Sequence, residues 1–274
     1  MTIDLHIHTT ASDGLLTPSE VIAQAIDLGL RVISITDHDS VGGVDEALAA
    51  AVGSALEVIP GVELSVHAPP GGDAHILGYF VDHHDNGLLR ALSRLRDARF
   101  DRARAMVEAL QAAGHAISLD DVLANANGGA VGRVHVARAL VTARSVDTIE
   151  EAFGKLIGRE GPFYVRKALF LPREALTLIH AAGGVAVLAH PGVSGEEPLI
   201  GLIGEGLDGI EAYHADHSGP QRDHFVSAAR RFELVVTGGS DFHGPGLRSA
   251  ALGSGACPPA VVEALRARAN ISRP

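Results

Sequence analysis

The chain has 274 residues, a length that fits one barrel-sized α/β domain or two small domains, and at 46% hydrophobic and 20% charged it has enough apolar material for a sizeable core. Its formal net charge of −11 excludes a general nucleic-acid coat protein, so any contact with nucleic acid must be local. The single cysteine, Cys257, excludes an internal disulfide framework and a cysteine-based zinc site, and agrees with a reducing compartment.

The opening run, Ile3-Asp4-Leu5-His6-Ile7-His8-Thr9, reads as a strand. Its period of two puts His6 and His8 on one face and Leu5 and Ile7 on the other. Two readings are open for that pair by itself: the start of a metal site, or a half-buried strand whose polar face carries histidine. Thr17-Pro18-Ser19-Glu20 then caps a helix over Val21–Leu28 that stops at Gly29. Arg31–Thr36 is a second strand, ending in Asp37-His38-Asp39. Gly42-Gly43 opens an Ala-rich helix through about Val52. Glu57–Ser65 is a third strand carrying Glu63, and Asp73–Phe80 a fourth carrying His75.

From about Asp85 to Pro162 no strand is legible. Leu88–Gly114 reads as one long arginine-bearing helix, followed by helices near Leu119–Ala126, Val131–Ala143 and Thr148–Ile157. This segment is expected to be a helical insertion over the mouth of a barrel. The β/α rhythm resumes with a helix over Pro172–Ala182, a strand Val185–Pro191 and a helix Glu197–Glu205. A strand Gly209–His214, a helix Pro220–Phe232, a strand Leu234–His243 and a helix Pro259–Ala269 complete it. With aromatics at 4% and no Trp, the core must be aliphatic, which suits buried parallel strands under Ala-rich helices. No signal peptide or membrane span is legible, so a cytoplasmic protein is expected.

Histidine stands out at 15 residues, about twice ordinary usage. Almost every proposed strand delivers a ligand-type residue at its C-terminal end: His6, His8, His38, Glu63, His75, His190, Asp241 and His243. In parallel barrels that end carries the chemistry. Burying so many imidazoles and carboxylates is costly without a partner, and metal cations are the natural one.

These motifs resemble those of the PHP (polymerase and histidinol phosphatase) domain: Leu5-His6-Ile7-His8-Thr9, Thr36-Asp37-His38-Asp39, the Glu63 and His75 strands, Ala189-His190-Pro191 and Ser240-Asp241-Phe242-His243. Arg99-Phe100-Asp101-Arg102-Ala103-Arg104 and Gly132-Arg133-Val134-His135-Val136-Ala137-Arg138 are similar to the substrate-binding segments of PHP phosphatases acting on 3′,5′-nucleoside bisphosphates. The same subfamily includes 5′→3′ exoribonucleases of short RNA. The resemblance implies a distorted (β/α)7 barrel, residues 1–84 and 163–274, with an inserted all-helical cap, 85–162.

It also implies a centre of two or three divalent ions, manganese first, with iron or zinc as alternatives. One ion would take His6, His8, Glu63 and Asp241. A second would take Asp13, His38 and His243, and a third Glu63, His75 and His190. Catalytic roles fall to His190, Asp13 and His38. A water bridging clustered cations has its pKa lowered toward about 7, and the resulting hydroxide attacks phosphorus in line. Candidates for the general acid are His190, His214 and His217, the last two also fitting solvated loop histidines. Asp37 and Asp39 read as groups that fix imidazole tautomers or cap a helix.

Arg99, Arg102, Arg133 and His135 are assigned to phosphate and nucleotide binding, since a guanidinium fork matches phosphate bidentately. Arg90, Arg94 and Arg104 read as a solvated face. His67, His83, His84, His115, His180 and His224 read as surface or packing residues. The expected reaction is removal of the 3′-phosphate of a 3′,5′-bisphosphonucleotide. A 5′→3′ exonuclease on short RNA or DNA is the alternative. A histidinol-phosphate-type phosphatase fits the arginine-bearing cap less well. A non-catalytic structural module would lack ligands, and none is missing. The expected partner is a phosphorylated nucleotide or short oligonucleotide, with no membrane and no stable duplex binding; oligomeric state is open.

Overall fold

A computed structural model describes residues 2–68, 72–168, 170–194, 199–246, 250–255 and 257–272. Seven strands form one sheet in chain order: β1 (Thr2–Ile7), β2 (Leu30–Ile35), β3 (Glu57–Ala68), β4 (Gly72–Tyr79), β5 (Val185–Leu188), β6 (Gly209–His214) and β7 (Val235–Gly239). The first three strands run parallel, as do the last three. A bridge between Ile7 and Phe242 brings β1 back beside the end of β7 and nearly closes the barrel. β4 is antiparallel to both neighbours, which departs from a strict β/α repeat. The reason is chain length. Ala68 pairs with Gly72, and a connection that short allows a hairpin but no parallel crossover.

Between the strands run α1 (Pro18–Asp27), α2 (Val44–Ala51), α3 (Asn86–Ala112), α4 (Leu119–Ala126), α5 (Arg133–Thr142) and α6 (Ile149–Ala152), the last passing into a π-helical turn over Phe153–Ile157. α7 (Pro172–Ala181), α8 (Pro191–Ser194), α9 (Leu199–Gly204), α10 (Gly219–Arg231) and α11 (Ala260–Ser272) follow. The start of the expected helix at Glu197 lies outside the described residues. α1 begins where read, with a reciprocal Thr17–Glu20 capping box and Pro18 in the first turn.

One apolar cluster joins Ile3 and Leu5 of β1 to Leu77 of β4, Val187 of β5 and Leu265 of α11. Only the inside of a barrel brings strands so far apart together, so this cluster fills the lower barrel. Ile7 instead packs outward against Val21 and Ile22 of α1. Leu5 and Ile7 therefore do not share a face. The cause is an irregularity in β1, where Asp4 pairs with Ile33 but Ile7 with Ile35, so one extra residue shifts the alternation. His6 thereby turns inward directly after Leu5. The helices between β4 and β5 enclose a separate apolar cluster, including Met106, Leu110, Val136 and Leu140. They meet the barrel rim through hydrogen bonds from Ala130 N to Ala11 O (3.0 Å) and from Arg138 Nη2 to Asp13 O (2.9 Å).

Candidate metal centre

Three of the sequence-predicted ligands lie on strands and the rest just beyond strand ends. His6 is on β1, Glu63 on β3 and His75 on β4. His75 does not follow a strand end as expected. Because β4 is reversed, its early residues lie at the end where the other strands finish. β5 stops at Leu188 and β7 at Gly239, so His190, Asp241 and His243 sit in the turns that follow. Asp39, His190 and Asp241 have positive φ of 49°, 29° and 54°. Left-handed backbone at non-glycine residues is strained, and three such residues sit at the ends of the strands that carry the cluster.

Glu63 is the hub. Its Oε2 lies 2.9 Å from His38 Nδ1, 3.2 Å from His8 Nε2 and 3.4 Å from His6 Nε2. Its Oε1 lies 2.8 Å from His75 Nδ1 and 3.1 Å from His190 Nε2. Asp241 Oδ1 is 3.2 Å from His8 Nε2 and 3.4 Å from His6 Nε2. Asp13 Oδ1 is 3.3 Å from His243 Nε2. The structure thus brings all nine proposed ligands into one cluster. His8, Asp13, His38 and His243 form one potential ion site, His6, His8 and Asp241 another. His38, Glu63 and His75 form one more, and His6, Glu63 and His190 another. His6, His8 and His38 therefore each serve more than one group, which the expected partition did not include.

The electrostatics ask for cations. Burial opposes ionisation of Glu63, Asp13 and Asp241, yet neighbouring imidazoles hold all three well below the usual carboxylate range. Burial disfavours the imidazolium of His8, but Asp241 and Glu63 pull it up to about 9. His75 is pushed by burial down to about 3 and stays neutral. Several nitrogens face inward without a hydrogen-bond partner: His6 Nε2, His8 Nε2, His243 Nε2 and His38 Nδ1, along with Glu63 Oε2. Orphaned buried donors and acceptors are rare unless another species satisfies them. His6 places its Nδ1 on Glu211 (3.1 Å), and His243 donates its Nδ1–H to Asp241 O (2.8 Å). Each bond leaves the Nε2 lone pair pointing into the cluster, the arrangement of a metal-ligating histidine. The residues present fit divalent ions bound by imidazole and carboxylate.

Glu211 is a functional residue the sequence reading missed. It is fully buried and also accepts from the His190 backbone N–H (2.8 Å). Its signal was the one that found Glu63: a carboxylate inside an apolar strand. His6 draws Glu211 down to about 2 against the cost of burial. Of the candidate acids, His217 has both nitrogens committed, Nδ1 donating to Ala212 O (3.0 Å) and Nε2 accepting from Gly192 N (3.1 Å). His214 keeps a buried Nε2 without a hydrogen-bond partner, 3.6 Å from Asp241 Oδ2.

A cavity of about 280 Å³ opens beside the cluster, lined by Asp13, His38, His75 and His243 on one side. Arg99, Arg102, Arg133 and Lys167 line it too, with Val134, Ile149 and Phe153 as an apolar wall. Arg99 donates from Nε to Asp39 (2.6 Å) and from Nη2 to Ser65 Oγ (3.0 Å), so its guanidinium is largely committed to the barrel. Asp39 accordingly neither orients an imidazole nor caps a helix. Asp37 accepts from Thr9 N (2.7 Å) and Ser12 Oγ (2.6 Å), fixing the loop that carries Asp13. His135 does not line the cavity. Its Nδ1 accepts from Gly132 N (2.9 Å) at the start of α5, and burial lowers its pKa to about 4. Arg90, Arg94 and Arg104 are exposed, Arg104 pairing with Asp101. Lys167 had no signal in the sequence, because it follows no helical or strand period.

A family model for the PHP domain matches residues 4–161. The chain is 36% identical to a 3′,5′-nucleoside bisphosphate phosphatase of Chromobacterium violaceum, covering 89% of this chain and 88% of the relative. It is 35% identical to the 5′-3′ exoribonuclease Rnm of Salmonella typhimurium, covering 88% and 85%. A solved structure of a predicted metal-dependent phosphoesterase from Bifidobacterium adolescentis superposes with a TM-score of 0.90 at 33% identity, covering 97% and 96% of the two chains.

Proposed function

The chain belongs to the PHP domain family and is a metal-dependent phosphoesterase, and from that premise we propose that it removes the 3′-phosphate of 3′,5′-bisphosphonucleotides. One observation carries this reading. A single cavity has the His/Asp/Glu cluster on one side and, on the other, the guanidiniums of Arg102 and Arg133, neither paired with a carboxylate among the described residues. Such a cavity suits a ligand with two anionic groups, one for each end. The phosphatase of Chromobacterium violaceum lends the same substrate class.

Two or three divalent ions, manganese first, would be held by His6, His8, Asp13, His38, Glu63, His75, His190, Asp241 and His243. When bound they supply Lewis-acid charge for the phosphoryl group and ionise water at neutral pH. The chain's own residues do the rest. Glu211 keeps His6 in one tautomer and His190 in place. Arg102, anchored by Nε to Val165 O (2.7 Å), and Arg133, resting over the Phe153 and Tyr164 rings, orient the second phosphate. Val134, Ile149 and Phe153 offer an apolar surface to the nucleoside. His214, which is not among those nine ligands, is the candidate for giving a proton to the leaving 3′-oxygen. A cytoplasmic location and a small nucleotide partner belong to the same proposal.

The test is phosphate release with Mn²⁺ from 3′,5′-bisphosphoadenosine beside a 5′-phosphorylated RNA trimer. AMP and phosphate from the first, with the trimer intact, is the expected result. Stepwise mononucleotide release from the trimer would move the function to the exonuclease reading, which the Salmonella relative favours. Hydrolysis of neither by the metal-loaded protein would overturn both.

A further inference from the structure

We infer that His83, His84 and Asp45 form a second metal site, apart from the catalytic cluster, which takes a borderline divalent ion, zinc first, and fastens α2 to the turn that leads into α3. The inference needs no assumption about the substrate.

The two histidines stand in the turn between β4 and α3. Consecutive residues ordinarily point apart, to opposite faces of a strand or round the girth of a helix. Here the chain bends instead. Asp85 N donates to Asp82 O (2.9 Å), and His84 N donates to Asp82 Oδ1 (3.0 Å). Asp82 N donates to Ala182 O (2.8 Å), which ties the turn to the residue that ends α7. The imidazoles consequently lie side by side, with ring centroids 4.1 Å apart. Both Nε2 atoms converge on one atom of another element. Asp45 Oδ1, in the first turn of α2, is 2.9 Å from His83 Nε2 and 3.3 Å from His84 Nε2.

Two imidazoles and one carboxylate that share a point make a three-donor set for a transition ion. Donors at neighbouring corners of a tetrahedral zinc stand about 3.4 Å apart, given bonds of about 2.0–2.1 Å. The two contacts to Asp45 need only small side-chain rotations to reach that spacing. A cavity of about 160 Å³ lies alongside, lined by the three donors with Val41, Leu89 and Leu92, and leaves room for water at an open coordination position. His84 and Asp45 are exposed while His83 is half-buried, so an ion can arrive from solvent at a ring already held by packing. Such donors bind zinc, cobalt or nickel more tightly than manganese. The consequence is mechanical. Asp45 belongs to a helix of the barrel, and the histidines belong to the chain entering the inserted helices. An ion shared between them adds a second tie to the one made by Arg99 and Asp39.

The experiment uses the full-length Mn²⁺-loaded protein as wild type, as the double variant His83→Ala/His84→Ala and as Asp45→Asn. Each is dialysed to equilibrium against a series of Zn²⁺ concentrations with Mn²⁺ in excess, and bound zinc is counted by elemental analysis. Zinc that enters the catalytic cluster is common to all three proteins, so the difference counts the new site. Wild type is expected to hold one zinc per chain more than the double variant, and Asp45→Asn to bind that zinc more weakly. Zn²⁺ should also raise the Tm of wild type further than that of the double variant. Circular dichroism and manganese content before zinc is added should be the same in all three. Equal zinc contents overturn the inference. A zinc difference with equal Tm shifts overturns the tie between α2 and α3. If the double variant does not fold, Asp45→Asn decides alone: a weakened zinc isotherm supports the site, and one identical to wild type overturns it.

Discussion

Glu63 offers one carboxylate to five imidazoles, and Glu211 stands behind it holding His6 and His190. A carboxylate that fixes the tautomer of a ligating histidine matters nearly as much as the ligand. Replacing Glu211 by Gln should weaken Mn²⁺ binding or activity about 10–100-fold with little change in fold, checked by metal titration and circular dichroism. Cys257 lies at the opposite extreme of reactivity. Burial raises its thiol to about 12, so it stays protonated at pH 8 in the folded protein. Iodoacetamide at pH 8 should label it only on unfolding, and labelling of native protein at the rate of a free thiol would contradict this. The sign of the linkage follows: this group's contribution to stability is complete below about pH 8.5 and is lost as pH rises toward about 12.

Single contacts between elements decide whether the site assembles. β7 approaches β1 so closely that a Cβ on Gly239 would lie 2.3 Å from His6 Cβ and 2.5 Å from His6 N. The obstacle is partly backbone, so it cannot rotate away. Gly239→Ala should destabilise by about 1–3 kcal/mol and lower metal content, measured by urea unfolding and elemental analysis. The tie between α3 and the strand ends is the buried Arg99–Asp39 pair, with side chains 13% and 3% exposed. Asp39→Asn leaves the guanidinium enclosed without its charge partner, at a cost of about 3–5 kcal/mol in the same assay. Arg99 is therefore as much a strut for the inserted helices as a candidate phosphate contact.

At the scale of the whole molecule, the barrel encloses more anionic charge than its own cations balance at the site. Glu63, Asp13, Asp241 and Glu211 are all held ionised while buried or nearly so. Removing metal with a chelator should lower Tm, and Mn²⁺ should restore it by an amount that grows with the logarithm of its concentration above Kd. Binding to the native state alone contributes about 2.7 kcal/mol at a hundred times Kd. A Tm indifferent to chelation would mean that the cluster is satisfied without ions.

The sequence by itself determined the succession of strands and helices along the chain, the helical stretch between the fourth and fifth strands and the set of ligand types. Those follow from local pattern: β-branched runs, caps, glycine stops and polar residues that recur where apolar runs end. His6 and Glu63 were legible because a polar side chain in an apolar strand demands a partner. Tertiary structure alone decided that β4 runs backwards, that β1 shifts its alternation between Asp4 and Ile7, and that Arg99 is held by Asp39. It also decided that His135 accepts from the Gly132 N–H while Lys167, far along the chain, lines the cavity. Such facts depend on which segments meet across the barrel mouth. A side chain's charge is written in the sequence, but whether it is neutralised is settled only by its neighbours in space.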